Sequence, residues 1–129
     1  MRLFNILKNT INIIKDISNK YYYISTSGKT GTYRTSFALC SLTLPVGVYL
    51  LIGNVGASVD SSTTAMLAGL SGATIITGQG RSMMAAGGGC QVWGLTEVTE
   101  GTQTVNLTTY RYYSGSVTYS GKLIAIKLI

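Results

Sequence analysis

Histidine occurs nowhere in the chain, and carboxylates are nearly as scarce: Asp16, Asp60, Glu97 and Glu100 are the full set. The missing histidine removes the usual general base and the commonest metal ligand together. A glycosidase-type pair needs two carboxyls about 5 to 10 Å apart across a cleft, one of them with a raised pKa. Glu97 and Glu100 flank Val98 and Thr99 at a strand end and read as solvated turn residues. Serine and threonine are abundant, yet no Gly-x-Ser-x-Gly elbow or partner base accompanies them. The expectation is a protein that is not an enzyme, with no catalytic residue, metal site or cofactor.

Cysteine and proline are also sparse. Cys40 and Cys90 sit in apolar stretches without C-x-x-C spacing, so they read as buried free thiols rather than a zinc or redox motif. The one proline, Pro45, stands before Val46 and Gly47 and marks a turn between two strands. Asn5, Lys8, Asn9 and Thr10 interrupt the apolar residues near the start, and no stretch reaches membrane-span length. A soluble protein made in a cytosol, without membrane insertion, is expected.

Charge is thin overall. Hydrophobic residues make up 46% of the chain and charged ones 11%, a balance that suits a subunit of an assembly better than a lone monomer. The net charge of +6 divides evenly between residues 1–20 and the remainder, and the later basic residues are scattered singly. No nucleic-acid partner is expected, because that role concentrates Lys and Arg on one face with aromatic partners among them. A weak attraction to acidic cell-surface polymers fits the sign of the charge.

What is present begins with a helix over residues 2–20. Phe4, Leu7, Ile11 and Ile14 recur at helical spacing, and Leu3, Ile6, Ile13 and Ile17 widen the stripe. The stripe spans fewer than three heptads, too short for an independent coiled coil. It serves trimerisation, docks in a groove of another protein, or folds back on its own domain. Residues 1–24 form this N-terminal segment, and residues 25–32 (STSGKTGT) have linker composition. Residues 33–129 are then the head domain, strand material cut by glycine. Runs over 36–44, 46–54, 73–77, 82–86, 91–98, 103–113 and 117–129 predict seven or eight short strands, with a helical turn at most near residues 64–67. That pattern implies an all-β sandwich or jelly roll behind an N-terminal amphipathic helix.

Glycine-rich pieces carry no chemistry. Gly87, Gly88 and Gly89 lack the lysine and helix start of a phosphate loop, and Gly78-Gln79-Gly80 reads as a turn. Tyrosine is more suggestive, since it couples a large apolar face to a polar tip and suits sugar stacking or interface anchoring. Tyr110, Arg111, Tyr112 and Tyr113 form the densest cluster and are the candidate ligand contacts; Trp93 and Tyr119 are further aromatics. Alternation sets Arg111 and Tyr113 on one side and Tyr110 and Tyr112 on the other, so one pair faces solvent while the other packs inward. The final run, residues 121–129 (GKLIAIKLI), is apolar on both faces: Ile124, Ile126 and Leu128 on one, Leu123, Ala125 and Ile129 on the other. A strand in a small antiparallel domain normally wets one face, so the second face calls for a partner, and another copy of the chain is the obvious one.

The order LPVGVYLLIGN (residues 44–54), RSMMAAGGGCQVWGLTEV (81–98), TVNLTTYRYYSGS (104–116) and GKLIAIKLI (121–129) resembles the C-terminal head domains of bacteriophage tail and fibre proteins. Those domains are similar to the C1q and tumour-necrosis-factor jelly rolls. The resemblance covers roughly residues 36–129. It implies a homotrimer whose last strand faces the three-fold axis, with Leu123, Ala125 and Ile129 at the trimer interface. Phage head domains usually cap long shafts, whereas here a short helix precedes the head. The chain thus looks like a small accessory fibre on the virion surface, made in the host cytoplasm. Its N-terminal helix would anchor it to another virion protein, and the head would bind the host surface, a glycan being the candidate ligand. The alternative is a structural capsid or tail decoration protein, a cement without receptor binding. A polysaccharide depolymerase is disfavoured by the missing histidine and sparse carboxylates.

Overall fold

The computed structural model describes residues 2–18, 20–59, 67–73, 80–82 and 89–129, with the side chains of 13–18, 59 and 80–82 left out of account. A helix, α1 (Arg2–Ser18), precedes strands β1 (Tyr21–Lys29), β2 (Ser36–Val59), β3 (Ala68–Ser71), β4 (Gly80–Ser82), β5 (Gly89–Tyr110) and β6 (Val117–Lys127). The strands form an antiparallel sheet in the order β1-β6-β2-β5-β3, with β4 also paired to β5. The expected all-β architecture with an N-terminal helix is therefore present.

Two strands are far longer than the sequence pattern suggests. Runs 36–44 and 46–54 are one strand, β2, and runs 91–98 and 103–110 are one strand, β5. Pro45 does not turn the chain. Pro45 pairs with Thr102 and Gly47 with Val98, so Val46 alone lies opposite residues 99–101, a bulge with Gly101 at φ +61. Proline is tolerated there because the ladder is already interrupted, and the Tyr49 hydroxyl donates to the Pro45 carbonyl at 2.8 Å. Two extra residues of β5 lie in this bulge, and the inward-facing positions change parity across it. Cys90, Val92, Thr96 and Val98 point inward before the bulge, and Val105, Leu107 and Thr109 after it.

The bulge also divides the sheet into two halves. The near half holds β1, β6, β4 and the adjoining ends of β2 and β5; the far half holds β3 and the other ends. They fold face to face around one core. Rings of Phe37 on the far half and Tyr119 on the near half meet edge-on at 5.4 Å. A Cβ built at Gly121 of β6 would lie 3.0 Å from Leu39 and 3.1 Å from Leu107 of the far half. Leu44, Tyr49, Leu51, Val92, Leu107 and Leu123 fill the space between.

Residues 25–29 are not linker. Ser25 pairs with Lys122, Thr26 with Gly121 and Lys29 with Tyr119, so the polar stretch completes β1 against β6. Tyr22, Ile24 and Thr26 are half-buried, and that burial outweighs the linker composition. The head thus begins at about residue 21, not 33. Most of runs 73–77 and 82–86 and of the turn near 64–67 lies outside the described residues, as do Gln79, Gly87, Gly88 and Asp60.

Candidate interaction surfaces

Residues paired across an antiparallel sheet share a face. The registers therefore build rows across the outside of the near half. Tyr21, Ile126, Leu50 and Leu95 form one row; Tyr23, Ile124, Ile52 and Trp93 form the next. Tyr21, Tyr23 and Trp93 on the flanks are about half exposed, Trp93 at 50%, while the aliphatic residues between them are half-buried by their neighbours. Val48 and Leu128 continue the apolar surface above, beside Glu97. Below, Ser25, Lys122, Asn54 and Gln91 end it with a polar row.

The terminal strand contributes the opposite face from the one expected. Leu123 and Ala125 are 0% exposed in the protomer's own core, because β6 lies between β1 and β2 and its odd-numbered side chains point inward. Ile129 lies past the strand and is 84% exposed. Ile124 and Ile126 are the apolar side chains that β6 contributes to the outer face. Lys127 is half-exposed at the strand's last pair, beyond the packed rows.

The outside of the far half is polar. Thr43 and Thr104 place their hydroxyls 3.1 Å apart, and Ser41 donates to Asn106 Oδ1 at 2.6 Å. Ser36 and Tyr110 end this ladder. The rings of Tyr110 and Tyr112 meet at a tilt of 47°, centroids 4.5 Å apart, with Tyr112 exposed. Beside the near half's polar row, Ser25, Asn54, Gly56, Ser120 and Lys122 line an open depression of about 480 Å³.

Arg111 does something else. Its Nε donates to the Tyr113 carbonyl at 3.0 Å, Nη1 to the Thr30 and Gly31 carbonyls at 3.2 and 3.0 Å, and Nη2 to the Gly115 carbonyl at 2.9 Å. The guanidinium fork clamps the β1–β2 loop to the β5–β6 loop, and Tyr113 packs against the core. Of the four candidate ligand residues, Arg111 and Tyr113 are therefore structural, while Tyr110 and Tyr112 face outward. No pattern in the sequence could have shown this, because the carbonyls that Arg111 binds at residues 30 and 31 lie about 80 positions away.

On α1, Leu3, Phe4, Ile6, Leu7 and Ile11 are all exposed, Phe4 at 65%; the side chain of Ile14 lies outside the described residues. Both cysteines are free and buried, and burial raises each thiol's pKa above its ordinary value. Among the described residues, no three His, Cys, Asp or Glu side chains converge to hold a metal, and no helix is long and apolar enough to cross a membrane. Comparison of the chain with family models, curated proteins and solved structures gives no match in any of the three.

Proposed function

We propose that the chain is the subunit of a homotrimeric, non-enzymatic head domain of C1q/TNF-like jelly-roll type on the surface of a phage particle. In this reading the N-terminal helix holds it to another virion protein, and the far end of the head meets the host cell. One observation carries the assembly: a single protomer leaves two apolar surfaces uncovered, the stripe on α1 and the rows across β1, β6, β2 and β5. Soluble monomers rarely expose contiguous apolar patches beyond a few hundred Å². The phage assignment is supported by the resemblance of residues 36–129 to phage head domains. Recognition of a surface glycan is supported by the Tyr110–Tyr112 ring pair at the end of a hydroxyl and amide ladder, since sugars take aromatic faces beside hydrogen-bonding groups.

A second reading is a structural decoration protein without receptor binding. It is favoured by the commitment of Arg111, the cation beside those tyrosines, to backbone carbonyls. Binding of the purified protein to host cells and to isolated capsid and tail subunits separates the two. Tyr110→Ala and Tyr112→Ala should each lower cell binding with an unchanged melting temperature. Binding to virion subunits alone supports decoration, and binding losses that track stability losses reduce both tyrosines to structure.

A further inference from the structure

We infer that the polar trough at the end of the near half's outer face binds a short saccharide bearing uronic acid groups, a site that rests on the reading of the head as a glycan-binding unit but on neither the Tyr110–Tyr112 pair nor the trimer. Lys122 takes a carboxylate there, and Ser25, Ser27, Ser120 and Asn54 take sugar hydroxyls. The depression of about 480 Å³ beside Ser25, Asn54 and Lys122 runs on into a second of about 330 Å³ beside Ser58 and Thr118, and the two share Ser27, Gly56 and Ser120. The result is one trough of the size that small-molecule sites have. From Lys122 to Thr118 it extends about 14 Å along β6. It begins one row below Tyr23, Ile124, Ile52 and Trp93, so the apolar rows stop where the trough begins.

Two backbone features open it. Gly56 lies in β2 without a left-handed φ, and a Cβ there would meet only the Ser120 hydroxyl, at 2.9 Å. A serine side chain can rotate away, so nothing in the fold requires glycine at a position where a β-branched residue would strengthen the strand. Gly53 and Gly121 differ, because the core holds them: an added Cβ would strike Leu107 at 2.5 and 3.1 Å. Glycine inside a strand without such a cause marks a place that a ligand approaches closely. On the β1 wall, Ser27 and Gly28 together oppose Ser120, a bulge with Gly28 at φ +74 and open space where its side chain would be. Bulges of this kind re-aim side chains beside functional sites.

The lining selects the ligand. Val55, Ala57 and Tyr119 turn their side chains toward the core, which leaves hydroxyls, one amide and one ammonium in the trough and no carboxylate. Gln91 Nε2 donates to Asn54 Oδ1 at 3.2 Å, which fixes that amide and leaves its Nδ2 hydrogens for a ligand. Serine hydroxyls both donate and accept, so they match sugar hydroxyls in either sense. Lys122 is exposed between Ser25 and Asn54 in its row, and an acid group is the partner its charge lacks there. A nucleic acid would call for several cations along its backbone, and the trough offers one.

The test is isothermal titration calorimetry of the full chain with trigalacturonate, trimannuronate and triguluronate, and with neutral maltotriose, while circular dichroism melting verifies the folding of each variant. At least one uronate should bind, and maltotriose should bind at least about tenfold more weakly. Lys122→Gln should weaken the uronate about tenfold, and Tyr112→Ala should leave it within about twofold. Gly56→Val fills the floor and should abolish binding without lowering the melting temperature. Lys122 is exposed, so its replacement tests the trough independently of how Gly56→Val folds. Equal binding by the parent and Lys122→Gln, or maltotriose binding as tightly as every uronate, overturns the proposal. Binding lost in Tyr112→Ala and kept in Gly56→Val moves the saccharide to the tyrosine pair and leaves the function proposed above standing. Failure of all the uronates with host-cell binding intact overturns the trough alone, and failure of both overturns the glycan reading with it.

Discussion

Tyr49 and Tyr119 are buried to the same depth, 0% and 1% exposed, and differ in one hydrogen bond. The Tyr49 hydroxyl donates to the Pro45 carbonyl, while the Tyr119 hydroxyl has no partner among the described residues. Tyr49→Phe should therefore cost about 1 kcal/mol, and Tyr119→Phe should be neutral or stabilising by up to about 1 kcal/mol, both read by urea denaturation. Burial raises both phenols above their ordinary 10.0; for Tyr49 the neighbouring Tyr22 adds to the rise, and for Tyr119 the Arg111 charge opposes it. A phenol whose pKa is raised in the folded state contributes stability that is complete below the unfolded value and lost as pH climbs above it. Unfolding free energy should thus decline above about pH 10, and less steeply in Tyr119→Phe. Arg111→Ala removes four donor contacts to carbonyls, and a loss of about 2 to 4 kcal/mol is expected. Arg111→Lys should recover little of it, since one ammonium cannot span the fork. At this scale the alternation of residues 110–113 told which side chains pair, but not which pair faces out. That depended on loops 30–31 and 113–115 coming together.

Among the elements, β1 departs most from its composition. STSGK reads as linker because serine, threonine and glycine carry no periodicity, yet β6 offers a strand edge, and Tyr22 and Ile24 anchor the pairing. A chain beginning at Lys20 should give the β-sheet circular dichroism and cooperative melting of the full protein. A chain beginning at Thr30 strips β1 from β6, uncovers Tyr22's contact with Tyr49, and should aggregate or melt at least about 10 °C lower. Equal melting of the two shortened chains would return residues 21–29 to the status of a linker. The long strands show the same limit of local reading. The apolar runs marked each half of β2 and β5 as strand, although a further bulge between Ala38 and Cys40 buries Leu39 and exposes Ala38, and a proline two residues before a glycine has the local signature of either a turn or a bulge. The choice was made by β5, which pairs on both sides of the interruption.

For the molecule as a whole, the division of the outer surface follows from strand order. Leu50, Ile52, Trp93, Leu95, Ile124 and Ile126 are scattered through the sequence and become one surface only when β6 and β5 flank β2, with Tyr21 and Tyr23 closing it on β1. The sequence did show that the last strand had two apolar faces. It could not show which face the core claims, because that requires knowing that β6 is an interior strand. The all-β character behind an N-terminal helix was legible from periodicity and turn spacing, and the surplus of apolar residues from composition. Where that surplus gathers was not. In the proposed trimer this surface, with the α1 stripe, is buried between copies. The most direct measurement is the mass of the full chain in solution at micromolar concentration by sedimentation equilibrium. Three times the chain mass is the predicted result, falling toward the single-chain mass when Ile52 and Ile124 are both replaced by lysine; a stable single-chain mass for the unaltered protein would contradict it.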